Sequence, residues 1–88
     1  MNEKEQYAAL ISEIVAKQSI ILGSEMAILK ARKVPGLAID LQGKVIDIEG
    51  DPKEKLKNLI DVYVELSGQI VRNALGSVFA KYPSLNIK

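Results

Sequence analysis

Six cations bracket one acidic stretch of this sequence. Lys30, Arg32 and Lys33 precede it, and Lys53, Lys55 and Lys57 follow it. Between them stand Asp40, Asp47, Glu49 and Asp51, with only Lys44 in opposition. If the flanking helices run antiparallel, the six cations gather at one end of the molecule and offer contacts to an anion. Lys53 to Lys57 would then sit at a helix N-terminus, where the dipole favours anions and disfavours the lysines themselves. Nucleic acid is disfavoured as the partner. The carboxylates are interleaved with the cations, the net charge is only +1, and aromatics are 5% of the chain with no tryptophan. A solvated surface of mixed charge is the plainer account of the cluster. The carboxylates do not follow the D-x-D-x-D-G spacing of a calcium loop, so no metal is expected.

Gln18 and Glu25 are the other polar residues of interest, because both fall within an apolar helical stripe. At the wet edge of a bundle they would be unremarkable. In a seam between helices they would penalise wrong registers. Enclosed, Glu25 would carry a raised pKa and could act as acid, base or ligand. Cysteine and histidine are both absent. That excludes disulfides, thiolate nucleophiles, Cys/His zinc sites and the commonest general base. No phosphate loop or nucleophile elbow is present, so neither an enzyme nor a cofactor is expected.

The elements that must position these residues form three segments in one expected domain spanning 1–88. Residues ~4–33 read as one long helix. Tyr7, Ile14, Ile21 and Ile28 make one row at seven-residue spacing, and Ala8, Val15, Leu22 and Leu29 make a second. The doublets Ile14-Val15, Ile21-Leu22 and Ile28-Leu29 give a stripe wide enough for two neighbours, as in a four-helix bundle. Val34-Pro35-Gly36 ends it. Residues 37–49 alternate as a β-hairpin. A two-residue turn at Gln42-Gly43 pairs Leu41 with Lys44, Ile39 with Ile46 and Leu37 with Ile48, putting Leu37, Ile39, Leu41, Ile46 and Ile48 on one face. Asp51, Pro52 and Glu54 suit the N-cap, first and third positions of a second long helix over ~52–82. Its stripe includes Leu56, Leu59, Tyr63, Ile70, Ala74 and Val78. The class is α+β and mostly helical.

Two unbroken helices of about thirty residues would each be ~45 Å long. A compact chain of this length has a radius of gyration near ~12 Å. Two rods and a marginal hairpin would leave wide apolar stripes in water. Either two chains pair as a dimeric four-helix bundle, or the helices break at Gly23-Ser24 and at Gly68 or Gly76 and fold back. The dimer is favoured by the heptad rows that continue through Gly23 and by the frequency of two-fold homodimers. Its interface would use Ile14, Ile21, Leu22, Ile28, Tyr63, Ile70, Ala74 and Val78.

The functional expectation is a small, non-catalytic, homo-oligomeric interaction or regulatory module with an unidentified protein partner. The alternatives are a small-ligand binder with an apolar cleft between helices, or a weak nucleic-acid binder through the lysine cluster. Gln18, Glu25 and the six cations are the candidate ligand or anion contacts. No export signal or span of ~20 apolar residues is seen, so a cytoplasmic location is expected and no membrane. Eleven Ile, ten Lys and no Cys lean toward a thermophilic source.

Overall fold

The computed structural model describes residues 2–68 together with Gly76, Val78 and Ala80. In chain order, α1 (Glu3–Leu22) and α2 (Ser24–Arg32) precede a two-stranded antiparallel hairpin of β1 (Leu37–Ile39) and β2 (Val45–Ile48), and α3 (Pro52–Ser67) follows.

Local chemistry starts each helix. The Asn2 side chain accepts from the Glu5 N–H at 2.8 Å, with Glu3 and Glu5 in the positive first turn of α1. Asp51 caps α3 by accepting from Lys53 N–H at 3.1 Å, and Pro52 opens it, as the sequence suggests. At its other end α3 stops on Gly68, at φ 61°, so the expected continuous helix over 52–82 is interrupted there. Gly76 and Val78 are helical again.

The expected first helix is also two helices. Gly23 breaks it at φ 91°, ψ 146°, a backbone region essentially closed to residues with a Cβ. The bend folds α2 back against α1 instead of extending it. This removes the reason for expecting two exposed rods. The Cα radius of gyration is 11.6 Å, close to the ~12 Å of a compact chain of this length. The accessible surface is 5311 Å², against roughly 5,100 Å² for a folded monomer of this mass. One copy therefore builds a closed core without a partner, while Ile20, Met26, Leu29, Leu41 and Ile46 remain among its exposed apolar side chains.

The core lies between α1, α2, the inner hairpin face and α3. Tyr7, Leu10, Ile11, Ile14 and Val15 meet Ala27, Ala31, Leu37, Ile39, Val45, Ile48, Leu56, Leu59 and Tyr63 there. α1 packs on α2, β2 and α3 together.

The hairpin departs from its expected register near the turn. Leu37 pairs with Ile48 and Ala38 with Asp47 as expected, but Ile39 pairs with Val45. Ile46 is the extra residue of a β-bulge. Asp40 explains the shift. Its carboxylate accepts from the N–H groups of Gln42 and Lys44, both at 2.9 Å, and its carbonyl accepts from Gly43 N–H. A three-residue turn closed by Gly43 at φ 89° replaces the two-residue one. Val45 is consequently buried, while Ile46 and Leu41 are 68% and 84% exposed. Gly43 is required on two counts: its positive φ, and the Val15 Cγ1 atom 3.0 Å from where a Cβ would stand.

Candidate functional site

Among the described residues, the bend at Gly23 creates a surface feature with the shape of a site. Where α1 meets α2, Leu22, Gly23, Ser24, Glu25, Met26 and Leu29 line an open groove of about 490 Å³. Of its lining residues Met26 is 43% and Leu29 53% exposed; Ile20 and Ile21, 82% and 40% exposed on the last turn of α1, are not part of the lining. These four large apolar side chains fall within ten residues of sequence. No side chain caps the start of α2. Glu25, in its first turn, is the carboxylate at the groove's edge, exposed to solvent.

Gln18 does not join Glu25 in one site. It lies on the core face of α1, fully buried, and among the described residues neither Oε1 nor Nε2 has a hydrogen-bond partner. It does not line the groove.

The expected interface residues divide into three groups. Ile14, Tyr63 and Val78 belong to the core of a single chain, each with no exposed surface. Tyr63 is further committed by its phenol, which donates to the Ala27 carbonyl at 2.7 Å, and burial raises its pKa well above 10. A second copy cannot touch these three without opening the fold. Ile21 is exposed, and Leu22 and Ile28 are partly buried beside the bend. Ile70 and Ala74 lie outside the described residues.

The six cations are not equivalent. Arg32 Nε donates to the Ile39 carbonyl at 3.2 Å, capping the outer edge of β1. Lys55 is partly buried and its side chain runs over Gly36, its Cε 2.7 Å from where a Cβ would stand. Lys30 is also partly buried, whereas Lys33, Lys53 and Lys57 are exposed. Two members of the cluster thus serve the fold. The other hairpin edge is capped as well. Ser12 Oγ accepts from Val45 N–H at 2.9 Å while donating to the Ala8 carbonyl at 2.7 Å. β1 and β2 are thus each engaged at one backbone group of the outer edge by a helix side chain.

The acidic residues also have local roles. Asp40 is held below the usual carboxylate range, chiefly by the backbone N–H of Lys44. Asp47 is lowered chiefly by its hydrogen bond from Lys4, whose Nζ lies 2.8 Å from Asp47 Oδ1. Among the described residues, no three potential metal ligands converge. Nor is any described helix long and apolar enough to cross a membrane.

Sequence reasoning singled out Leu22 and Glu25, which line the groove, but missed Met26 and Leu29 as its exposed apolar side chains. The available signal was Gly23-Ser24, which turns the stripe into a corner. Scanning of protein-family models, of curated proteins and of solved structures returns no match to this chain.

Proposed function

We propose that the protein is a small non-catalytic interaction module that self-associates, as a dimer, through the apolar corner between α1 and α2. One observation carries the reading: Met26 and Leu29 line the groove at the bend and stand about half in water, with Ile21 exposed on the adjoining turn of α1. Burial of apolar area is worth roughly 25 cal/mol per Å², so pairing two such corners is favourable once they meet in register.

Light scattering on the whole chain tests this. The expected mass is twice that of one chain, falling to a single chain in the double variant Met26→Gln, Leu29→Gln with helical circular dichroism unchanged. Both side chains are exposed, so their replacement leaves the core intact. A wild-type protein that stays a single chain at every concentration overturns the reading.

A second reading draws on the groove volume of about 490 Å³, which lies within the roughly 300–1,000 Å³ of small-molecule sites. An amphipathic ligand would lay its apolar part on Met26 and Leu29 and turn a polar group toward Glu25. Native mass spectrometry of the purified protein tests it, through an added mass that Leu29→Gln removes.

A further inference from the structure

The break between α1 and α2 is one residue wide, and the pattern on either side of it belongs to a single helix. The rows Tyr7-Ile14-Ile21-Ile28 and Ala8-Val15-Leu22-Leu29 pass through Gly23 without losing phase. The backbone ladder is almost continuous too. Gly23 N–H donates to the Ser19 carbonyl and Ala27 N–H donates to the Gly23 carbonyl, each at 3.0 Å. Only the N–H groups of Ser24, Glu25 and Met26 fall at the start of a new helix. A straight helix would supply them with the carbonyls of Ile20, Ile21 and Leu22. Gly23 itself is unhindered, with no atom within 4 Å of a built Cβ. What holds the bend is the packing of α1 as an arm on α2, β2 and α3.

We infer that the dimer forms by exchange of this arm: Gly23 straightens, and α1 of each copy occupies the seat of α1 in the other. The inference rests on the self-association proposed above but replaces the pairing of two bent corners by exchange, since straightening Gly23 removes the bend. Exchange remakes every arm contact between chains, including Ser12 with Val45 and Lys4 with Asp47. Those contacts therefore cancel in the balance between closed and exchanged forms. What remains is the hinge and the new surface where two straight helices cross beside it. The hinge gains three helical hydrogen bonds and leaves a backbone region reserved for glycine. The crossing takes Ile21 and Leu29, which share one side of a straight helix and which the closed form leaves in water.

The chain has no cysteine, which makes cross-linking clean. Lys4 lies on the arm and Asp47 on the body, and both are about half exposed. The double variant Lys4→Cys, Asp47→Cys is treated with a short bismaleimide after equilibration at high protein concentration, and run on a denaturing gel. Exchange predicts a covalent dimer. A second measurement uses Gly23→Ala. Alanine is strained in the bent hinge and favoured over glycine in the straight one, and each dimer straightens two hinges. The dimer should therefore tighten by at least roughly tenfold. A protein of dimeric mass whose cross-link stays within one chain overturns the exchange and leaves association through the corner standing. A single-chain mass with an internal cross-link overturns both. If Gly23→Ala weakens the dimer, the straightened hinge is refuted.

Discussion

The phenol of Tyr63 in α3 donates to the backbone carbonyl of Ala27 in α2 at 2.7 Å, across thirty-six residues of sequence and with both residues fully buried. Ala27 is the first residue of α2 whose N–H reaches back across the bend, to the Gly23 carbonyl. Tyr63 thus fixes α3 to the turn of helix that defines the corner. The apolar groove and the core share this attachment.

Removing that hydroxyl should weaken the whole fold and not only the corner. Tyr63→Phe keeps the ring and deletes a buried hydrogen bond, so a loss of about 1–2 kcal/mol is expected. Urea denaturation followed by circular dichroism reads it as a lower midpoint with an unchanged slope. An unaltered midpoint would show that the bond contributes nothing net.

The same group sets an alkaline limit. Burial raises the Tyr63 pKa above its ordinary value of 10.0, so the folded chain keeps a proton that the unfolded chain releases. Stability is then full below about pH 10 and falls as pH rises toward the folded pKa. Tyr7 is shifted in the same direction, chiefly by burial and then by Glu3. Melting temperature should decline above pH 10 in the wild type and less steeply in Tyr63→Phe. Parallel declines would assign the effect to other groups.

Ser12 couples α1 to the hairpin. Ser12→Ala leaves the Val45 N–H without its acceptor in a partly buried place, at a cost of roughly 1–3 kcal/mol. Ser12→Thr retains the hydroxyl and should recover most of the loss. Hydrogen exchange at Val45 should accelerate selectively in the alanine variant. Equal exchange in all three proteins would contradict the contact.

How much of this was legible follows from how local each signal is. Asp51-Pro52 marked the start of α3 because an N-cap and a first-turn proline act within three residues. The outer hairpin pairs, Leu37 with Ile48 and Ala38 with Asp47, were expected from a two-residue turn that does not form, and they hold because the bulge at Ile46 offsets the longer turn. The inner pairs do not hold, because Asp40 selects a longer turn through its side chain and displaces Ile46 by one residue. The break at Gly23 was hidden by the heptad rows that continue through it. Periodicity reports which face is apolar, and it is blind to a single backbone angle. The groove depends on that same break, since it exists only where the stripe turns at Gly23-Ser24, a break the sequence offered but its periodicity disfavoured. The pairing of Tyr63 with Ala27 is set by the packing of α3 on α2, and no spacing in the sequence encodes it.

Gln18 offers the sharpest test of how the core is built. Its amide is enclosed with neither oxygen nor nitrogen paired among the described residues, in line with Ile11, Ile14 and Val15 on the core face of α1. A buried unpaired polar group costs roughly 1–3 kcal/mol, and an apolar group of similar shape escapes that cost. Methionine has the nearest length and flexibility and fills irregular spaces. Gln18→Met should therefore raise stability by about 1–2 kcal/mol, equivalent to several degrees in a domain of this size. Gln18→Glu separates the polar effect from the steric one, because it keeps the shape and adds a charge that burial opposes. It should destabilise at neutral pH and recover as the solution is acidified and the carboxyl takes up a proton. If Gln18→Met lowers the melting temperature instead, the amide has a partner in solution, and nitrogen-15 shifts of its side-chain NH₂ would reveal the bond.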